Sequence, residues 1–201
     1  MKVEESIHFY DGLITEKKLN DINKILLNKN FPWYYNHQTS ENDYNFKNTF
    51  EHFQFAHWFV FNSEISSTYI NDFKNVLDNV PINYDLIVRA KANFLPQVQN
   101  NSFNNPHKDI VRKDRQHKIG IIYLNDADGD TVIFNQEKEI IKRVTPKAGR
   151  VLIMSGDLIH TSSHPNKTKY RMILNINFLV WCKNKKIFMI KIFLLIIKMN
   201  K

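Results

Sequence analysis

Two histidines and several aspartates crowd the stretch NNPHKDIVRKDRQHKIGIIYLNDADGDT, residues 104–131, just ahead of and around an apolar run. Within it His107 and Asp109 form a His-x-Asp triplet, which could place an imidazole and a carboxylate on one cation. Alone the triplet carries little weight. With 12 Asp and 8 His in 201 residues, about 0.5 such triplets arise by chance. To rise above a charged loop it needs a third ligand far along the chain, strands to hold all three, and further polar groups at sensible spacing.

The stretch SGDLIHTSSHP offers that third ligand. It places His160 just after a strand and a Gly-Asp turn, with ten residues between it and Arg171. Two histidines and one carboxylate from distant segments of a β-scaffold match the facial triad of mononuclear non-haem Fe(II) sites. Neutral imidazoles and a carboxylate suit a borderline, redox-active ion, and three ligands on one face leave three positions free for cosubstrate and O2.

Such ligands need a rigid frame, and from Leu86 onward the pattern supplies one. The runs LIVRAKANFL, HKIGIIYLN, DTVIFN, EIIKRVT, RVLIMS and YRMILNINFLV read as short strands, separated by DADGD, TPKAG and SGD turns. Many short strands without intervening helices predict an antiparallel sandwich or barrel. In the last run Tyr170, Met172, Leu174, Ile176, Phe178 and Val180 make one wholly apolar face, which must pack on a core. The other face holds Arg171, Ile173, Asn175, Asn177 and Leu179. If it closes over an interior, its guanidinium and amides need partners that a polar ligand would supply; the competing reading is a face open to solvent.

The first 85 residues read as support. TEKKLNDINKILLN has Thr15 as an N-cap and Leu19, Ile22, Ile25 and Leu26 at helical spacing, and SSTYINDFKNVLDNV repeats the pattern with Ile70, Phe73, Val76 and Leu77. Between them FPWYY and FEHFQFAHWFVF are aromatic and alternating, as in strands or packed loops. His52 and His57 lie there and read as partly buried histidines among aromatics rather than ligands.

Composition narrows the function classes. A single cysteine, Cys182, rules out an intramolecular disulfide and a Cys-based zinc or iron–sulfur site, and predicts a reducing, cytoplasmic setting. The N-terminus MKVEESIHFYDG is acidic and amphipathic, unlike a signal peptide. The net charge of +8 is concentrated: residues 183–201 hold six Lys and no acid, so residues 1–182 carry only +2. That disfavours nucleic acid as a partner. The apolar run at 187–197 is 11 residues long and contains Lys191, too short for a membrane span, which needs about 20.

These motifs together resemble a known family. HKD, IIYLNDADGDTVIF, VTPKAGRVLIMSG, HTSSHP and YRMILNINF follow the order and spacing of the 2-oxoglutarate- and Fe(II)-dependent dioxygenases of the prolyl 4-hydroxylase type, above all short bacteriophage-encoded members. The resemblance covers about Leu86 to Trp181, and the first 85 residues loosely. It implies that His107, Asp109 and His160 ligate Fe(II). His164 fits the third position less well, because only six residues separate it from Arg171. Arg171 is implied to pair with the distal carboxylate of 2-oxoglutarate, Tyr123 to hydrogen-bond the same group, Ile119 and Ile121 to line the pocket, and Asn93 to add a cosubstrate contact. His117 matches no ligand position and is read as lying behind the ligands or exposed.

The implied fold is a mainly β (α+β) chain around a double-stranded β-helix, the cupin-like jelly roll. Residues 1–85 form a helical and aromatic support, 86–181 the catalytic core and 182–201 a basic-apolar tail with no counterpart in the family. That tail is open to three readings: a surface-seeking basic helix, an extra strand, or the product of an altered reading frame. The implied reaction hydroxylates a C–H bond of a peptidyl or small-molecule substrate with O2, leaving succinate and CO2, with ascorbate as a candidate reductant. Two other classes stay open: a nucleic-acid-modifying oxygenase on the same fold, and a non-catalytic metal-binding or virion-associated jelly roll.

Overall fold

The faces of the last strand bury against different partners, and the architecture follows from that. The computed structural model describes residues 6–40, 44–47, 49, 52–99, 102–111 and 115–180. Along the chain its elements are β1 (Ile7–Tyr10), α1 (Glu16–Leu26), β2 (Tyr34–Asn36), β3 (Gln54–Phe61), β4 (Glu64–Ile65), α2 (Ile70–Leu77), β5 (Leu86–Pro96), β6 (Gln116–Tyr123), β7 (Thr131–Phe134), β8 (Ile140–Val144), β9 (Val151–Ser155), β10 (Ile159–Ser162) and β11 (Tyr170–Val180). A major antiparallel sheet runs β1-β9-β6-β11-β5-β3-β2, with β4 on β3, and a minor sheet runs β10-β7-β8. Residues 104–107 extend the minor sheet along β10: the His107 N–H donates to the His160 carbonyl at 2.9 Å and the His160 N–H to the His107 carbonyl at 3.0 Å.

The apolar face of β11 packs outward under the helices. Met172, Leu174, Ile176 and Phe178 join Leu19, Ile22 and Leu26 of α1 and Phe73, Val76 and Leu77 of α2 in one buried cluster. Each such side chain contributes about 1.5–3 kcal/mol by leaving water. Thr15 caps α1 as its sequence predicts, its side chain accepting from the Lys18 N–H. His57 is buried beside Phe31, Phe59 and Tyr69, with its ring nitrogens satisfied by the Pro32 carbonyl and Ser67 Oγ, each at 2.8 Å.

The opposite face of the major sheet looks into the jelly roll. Ile119, Ile121, Leu152, Met154 and Ile173 meet Ile133 and Val144 of the minor sheet there. Arg171, Asn175 and Asn177 point into this interior and are buried, so the solvent-facing alternative for that face is excluded. The chain is thus mainly β with two N-terminal helices braced on the major sheet, as the sequence predicts.

Three strands lack a sequence signal: β1, β10 and the two-residue β4, which pairs with the end of β3. β1 is a mostly exposed edge strand whose register is set by pairing Ile7–Tyr10 with Val151–Met154 of β9. His160 does follow β9 and the Gly156-Asp157 turn, but it lies in a further short strand, β10, because IHTS is too short and polar to show alternation and is held by β7. Trp181 and the tail at 182–201 lie outside the described residues. Among the described residues no helix is long and apolar enough to cross a membrane.

Candidate metal centre

His107, Asp109 and His160 meet in the jelly-roll interior. Pairing between the 104–107 segment and β10 sets the two histidines side by side, with ring centroids 4.9 Å apart. Asp109, two residues beyond His107, turns its carboxylate to both rings: Oδ1 lies 3.5 Å from His107 Nε2 and Oδ2 4.0 Å from His160 Nε2. One ligand atom from each of the three lies within 4.8 Å of the others, within reach of a single ion. Both imidazoles are also held in the tautomer that a metal needs. Nδ1 of His107 donates to the Asn105 carbonyl at 3.1 Å and Nδ1 of His160 to the Leu158 carbonyl at 3.2 Å, which leaves each Nε2 lone pair facing inward.

Electrostatics favour the ligating forms. Burial holds His160 down at about 4, so it is neutral at physiological pH despite the opposing pull of Asp109. Burial alone would raise Asp109, but the neighbouring imidazoles and the Arg89 guanidinium hold it well below the usual carboxylate range. Asp109 Oδ2 accepts from Asn175 Nδ2 and Asn177 Nδ2, both at 3.0 Å. The Asn177 side-chain Oδ1 in turn accepts from His117 Nε2 at 2.8 Å. His117 therefore sits behind the ligands, two hydrogen bonds removed from the carboxylate. Arg89 closes the other side, donating to the Asp109 backbone carbonyl and standing 4.0 Å from Oδ1.

Arg171 shares a cavity with the histidines. It is 1% exposed, and its Nη2 donates to Thr131 Oγ1 at 2.8 Å, the oxygen that also accepts from the Tyr123 hydroxyl at 2.7 Å. Its Nε and Nη1 are buried with no hydrogen-bond partner among the described residues. The cavity, about 420 Å³ counting its open mouth, is lined among others by Arg171, Thr131, Asn93, Lys91, His107 and His160. Burial lowers Arg171 from its ordinary value, with Tyr123 and Asp130 opposing. The site thus joins donors that could hold a metal ion to a buried guanidinium whose remaining donors suit a carboxylate.

The other sequence-selected residues are placed as follows. Asn93 lines the cavity, its amide donating to Gln54 Oε1 while its own Oδ1 has no partner among the described residues. Tyr123 is fully buried and meets the cavity through Thr131. Ile121 lines the cavity, whereas Ile119 belongs to the apolar core between the sheets. His164 stays apart from the triad, its Nδ1 on the Pro96 carbonyl at 2.8 Å and its ring against His52. Lys91, Gln54 and Thr131 line the cavity and Arg89 abuts Asp109, none of them selected from sequence. Arg89, Lys91 and Asn93 alternate along β5, so period-two reading of LIVRAKANFL could have found that row. Thr131 had no signal beyond following a turn.

No protein-family profile matches the sequence, and no curated protein matches it. Solved structures do. An oxidoreductase of the 2OG-Fe(II) oxygenase family from Burkholderia pseudomallei superposes with a TM-score of 0.66 at 15% identity, over 87% of this chain and 86% of the other. A Pseudomonas putida prolyl-4-hydroxylase gives 0.61 at 13% identity, over 88% and 94%. The viral collagen prolyl hydroxylase of Paramecium Bursaria Chlorella virus-1, solved as its 2OG complex, gives 0.54 at 13% identity, over 90% and 100%. With jelly roll, bracing helices and inward-facing donors all in place, this chain has the fold of the 2-oxoglutarate- and Fe(II)-dependent oxygenases of the prolyl hydroxylase type.

Proposed function

We propose that the protein is an Fe(II)- and 2-oxoglutarate-dependent oxygenase that hydroxylates a C–H bond of a peptidyl or small-molecule substrate. The observation that carries this reading is Arg171, a buried cation with two unpartnered donors in the cavity that His107 and His160 also line. A generic metal-binding barrel has no use for it, since an uncompensated buried charge costs several kcal/mol. A dicarboxylate satisfies it, because a carboxylate accepts the planar fork bidentately.

In this reading His107, Asp109 and His160 hold the iron, with Asn175 and Asn177 fixing the Asp109 carboxylate. Arg171 takes the distal carboxylate of 2-oxoglutarate, with Thr131 and Tyr123 orienting the fork, and Asn93 adds a polar contact. Bound Fe(II) with 2-oxoglutarate supplies the oxidising power, coupling decarboxylation to succinate and CO2 with insertion of oxygen from O2. The protein's own work is to position both ligands and to limit water, which the apolar wall of Ile121, Ile173 and Leu95 does.

The test is anaerobic titration. Fe(II) followed by 2-oxoglutarate should give a weak visible absorption that saturates at one equivalent of each, and a substrate screen should then read stimulated succinate formation. Absence of the absorption removes the reading.

A further inference from the structure

Beside the triad stand two more cations that the proposed reaction leaves unused. Lys91 and Arg89 follow one another on the inner face of β5, and both lie over the Trp58 ring, Lys91 Nζ at 5.2 Å and Arg89 Cζ at 5.0 Å from its centroid. Lys91 is 8% exposed and lines the cavity next to Asn175, its pairing partner on β11. Its ammonium makes no hydrogen bond or ion pair among the described residues. Arg89 lines an open groove on the other side of Asp109, together with Trp58, Phe61, Asn62, Val88 and Ile110, and its Nε is buried without a partner among the described residues.

Charge makes the placement informative. Asp109 is the acid that acts on Lys91 among the described residues, and its carboxylate is already committed to Asn175, Asn177 and the histidines. With Fe(II) balanced by the 2-oxoglutarate dianion, Arg171 also acted on by Asp130, and Arg89 standing 4.0 Å from Asp109 Oδ1, one positive charge, that of Lys91, remains unmatched. A cation–π contact with Trp58 returns only part of the cost of burying an ammonium.

Resting on the oxygenase reading above, we propose that Lys91 and Arg89 receive a carboxylate of the primary substrate, whose apolar or planar part lies on Trp58 and Phe61 at the open groove. Lys91 is then a specificity-determining residue, and the substrate class is a carboxylate-bearing small molecule or peptide. A neutral substrate would leave Lys91 uncompensated, and a cationic one would be repelled.

The test uses the full chain loaded with Mn(II) and 2-oxoglutarate, which binds without turnover. Matched probes are N-acetyl-proline, N-acetyl-phenylalanine and indole-3-acetate, each against its amide, and the blocked peptide Gly-Glu-Gly-Phe against Gly-Gln-Gly-Phe. Affinity and paramagnetic broadening of the probe protons are read together. At least one acid should bind about ten-fold more tightly than its neutral partner and be broadened by Mn(II). Lys91→Met should cut that preference to about two-fold while 2-oxoglutarate affinity stays within about three-fold, and Lys91→Arg should restore it. Preference among the free acids identifies a small-molecule carboxylate, and preference in the peptide pair identifies an acidic side chain; either supports the proposal. Equal binding of acids and amides, binding of none, or a preference that survives Lys91→Met overturns it. A Lys91→Met protein that loses 2-oxoglutarate instead assigns the lysine to the cosubstrate pocket and also overturns it. Failure to take up Mn(II) and 2-oxoglutarate at all, seen before any probe is added, overturns the oxygenase reading itself.

Discussion

Arg171 of the major sheet and Thr131 of the minor sheet meet across the jelly roll, Nη2 to Oγ1 at 2.8 Å. That bond holds one arm of the guanidinium and leaves Nε and Nη1 as the donors open to a ligand. Hydrogen bonds to charged groups are worth about 1.5–3 kcal/mol, so Arg171→Met should raise the 2-oxoglutarate concentration for half-saturation by roughly 10- to 150-fold. Metal affinity should stay nearly unchanged. Tyr123→Phe removes one neutral donor and should act in the same direction by about 0.5–1.5 kcal/mol. Succinate formation across a 2-oxoglutarate series measures both, and an Arg171→Met protein with unchanged half-saturation would remove the cosubstrate assignment.

The two histidine candidates for the third ligand separate cleanly. His160 Nε2 faces Asp109, while His164 packs on His52 away from the triad. His107→Ala and His160→Ala should abolish the metal-dependent absorption, and His164→Ala should keep it. A His164→Ala protein without absorption, or a His160→Ala protein at full strength, would reverse the assignment.

Acid should weaken the metal-free fold well before its carboxylates titrate. Burial holds His160 and His164 at about 4, against 6.5 ordinarily. Between those values the unfolded chain binds protons that the folded chain refuses, so stability is complete above pH 6.5 and declines as pH falls towards 4. Each histidine contributes at most about 1.4 kcal/mol per pH unit in that window. Asp11 and Asp128, both lowered to about 2, act only below the ordinary carboxylate range and do not mask it. Urea unfolding at pH 7.5, 6 and 5 should show the decline, and His164→Gln should flatten it. Stability that is level or rises from pH 7 to 5 would contradict the assignment. Metal affinity should fall in the same direction, because binding requires neutral His160.

What the sequence disclosed and what it hid divide along physical lines. The alternation of β11 separated the helix-facing Met172 and Leu174 from the inward-facing Arg171 and Asn175, because burial on both sides of a strand still sorts polar from apolar residues. The meeting of the HKD triplet with His160 was legible because residue types able to ligate a metal are few. β1 and β10 were not, since short edge strands are fixed by partners distant in sequence. Lys91 and Arg89 were hidden for another reason. A cation between apolar neighbours reads as an exposed position, and only the packing of β3 against β5 places Trp58 over both.

The last prediction tests whether the support behind Asp109 matters, using a residue that touches no ligand. Gly156 follows β9 and donates its N–H to the His117 carbonyl at 2.9 Å. A Cβ there would overlap His117 Nδ1 and Cγ, so Gly156→Ala must displace the ring. The displaced ring releases Asn177, whose amide otherwise holds Asp109 Oδ2. Loss of such supporting contacts typically costs 10–100-fold in metal affinity, and overpacking costs about 1–3 kcal/mol of stability. Gly156→Ala should therefore weaken metal binding by about ten-fold and lower the melting temperature. His117→Ala alone should weaken metal binding similarly, since it removes the same hydrogen bond. The two changes should not add: with the ring gone, the new methyl has room, and Gly156→Ala in a His117→Ala background should cost little more. Calorimetric titration with Mn(II) on the four proteins of this cycle measures the coupling. Strict additivity would show that the glycine acts on the fold directly and that the His117–Asn177–Asp109 chain does not transmit its effect.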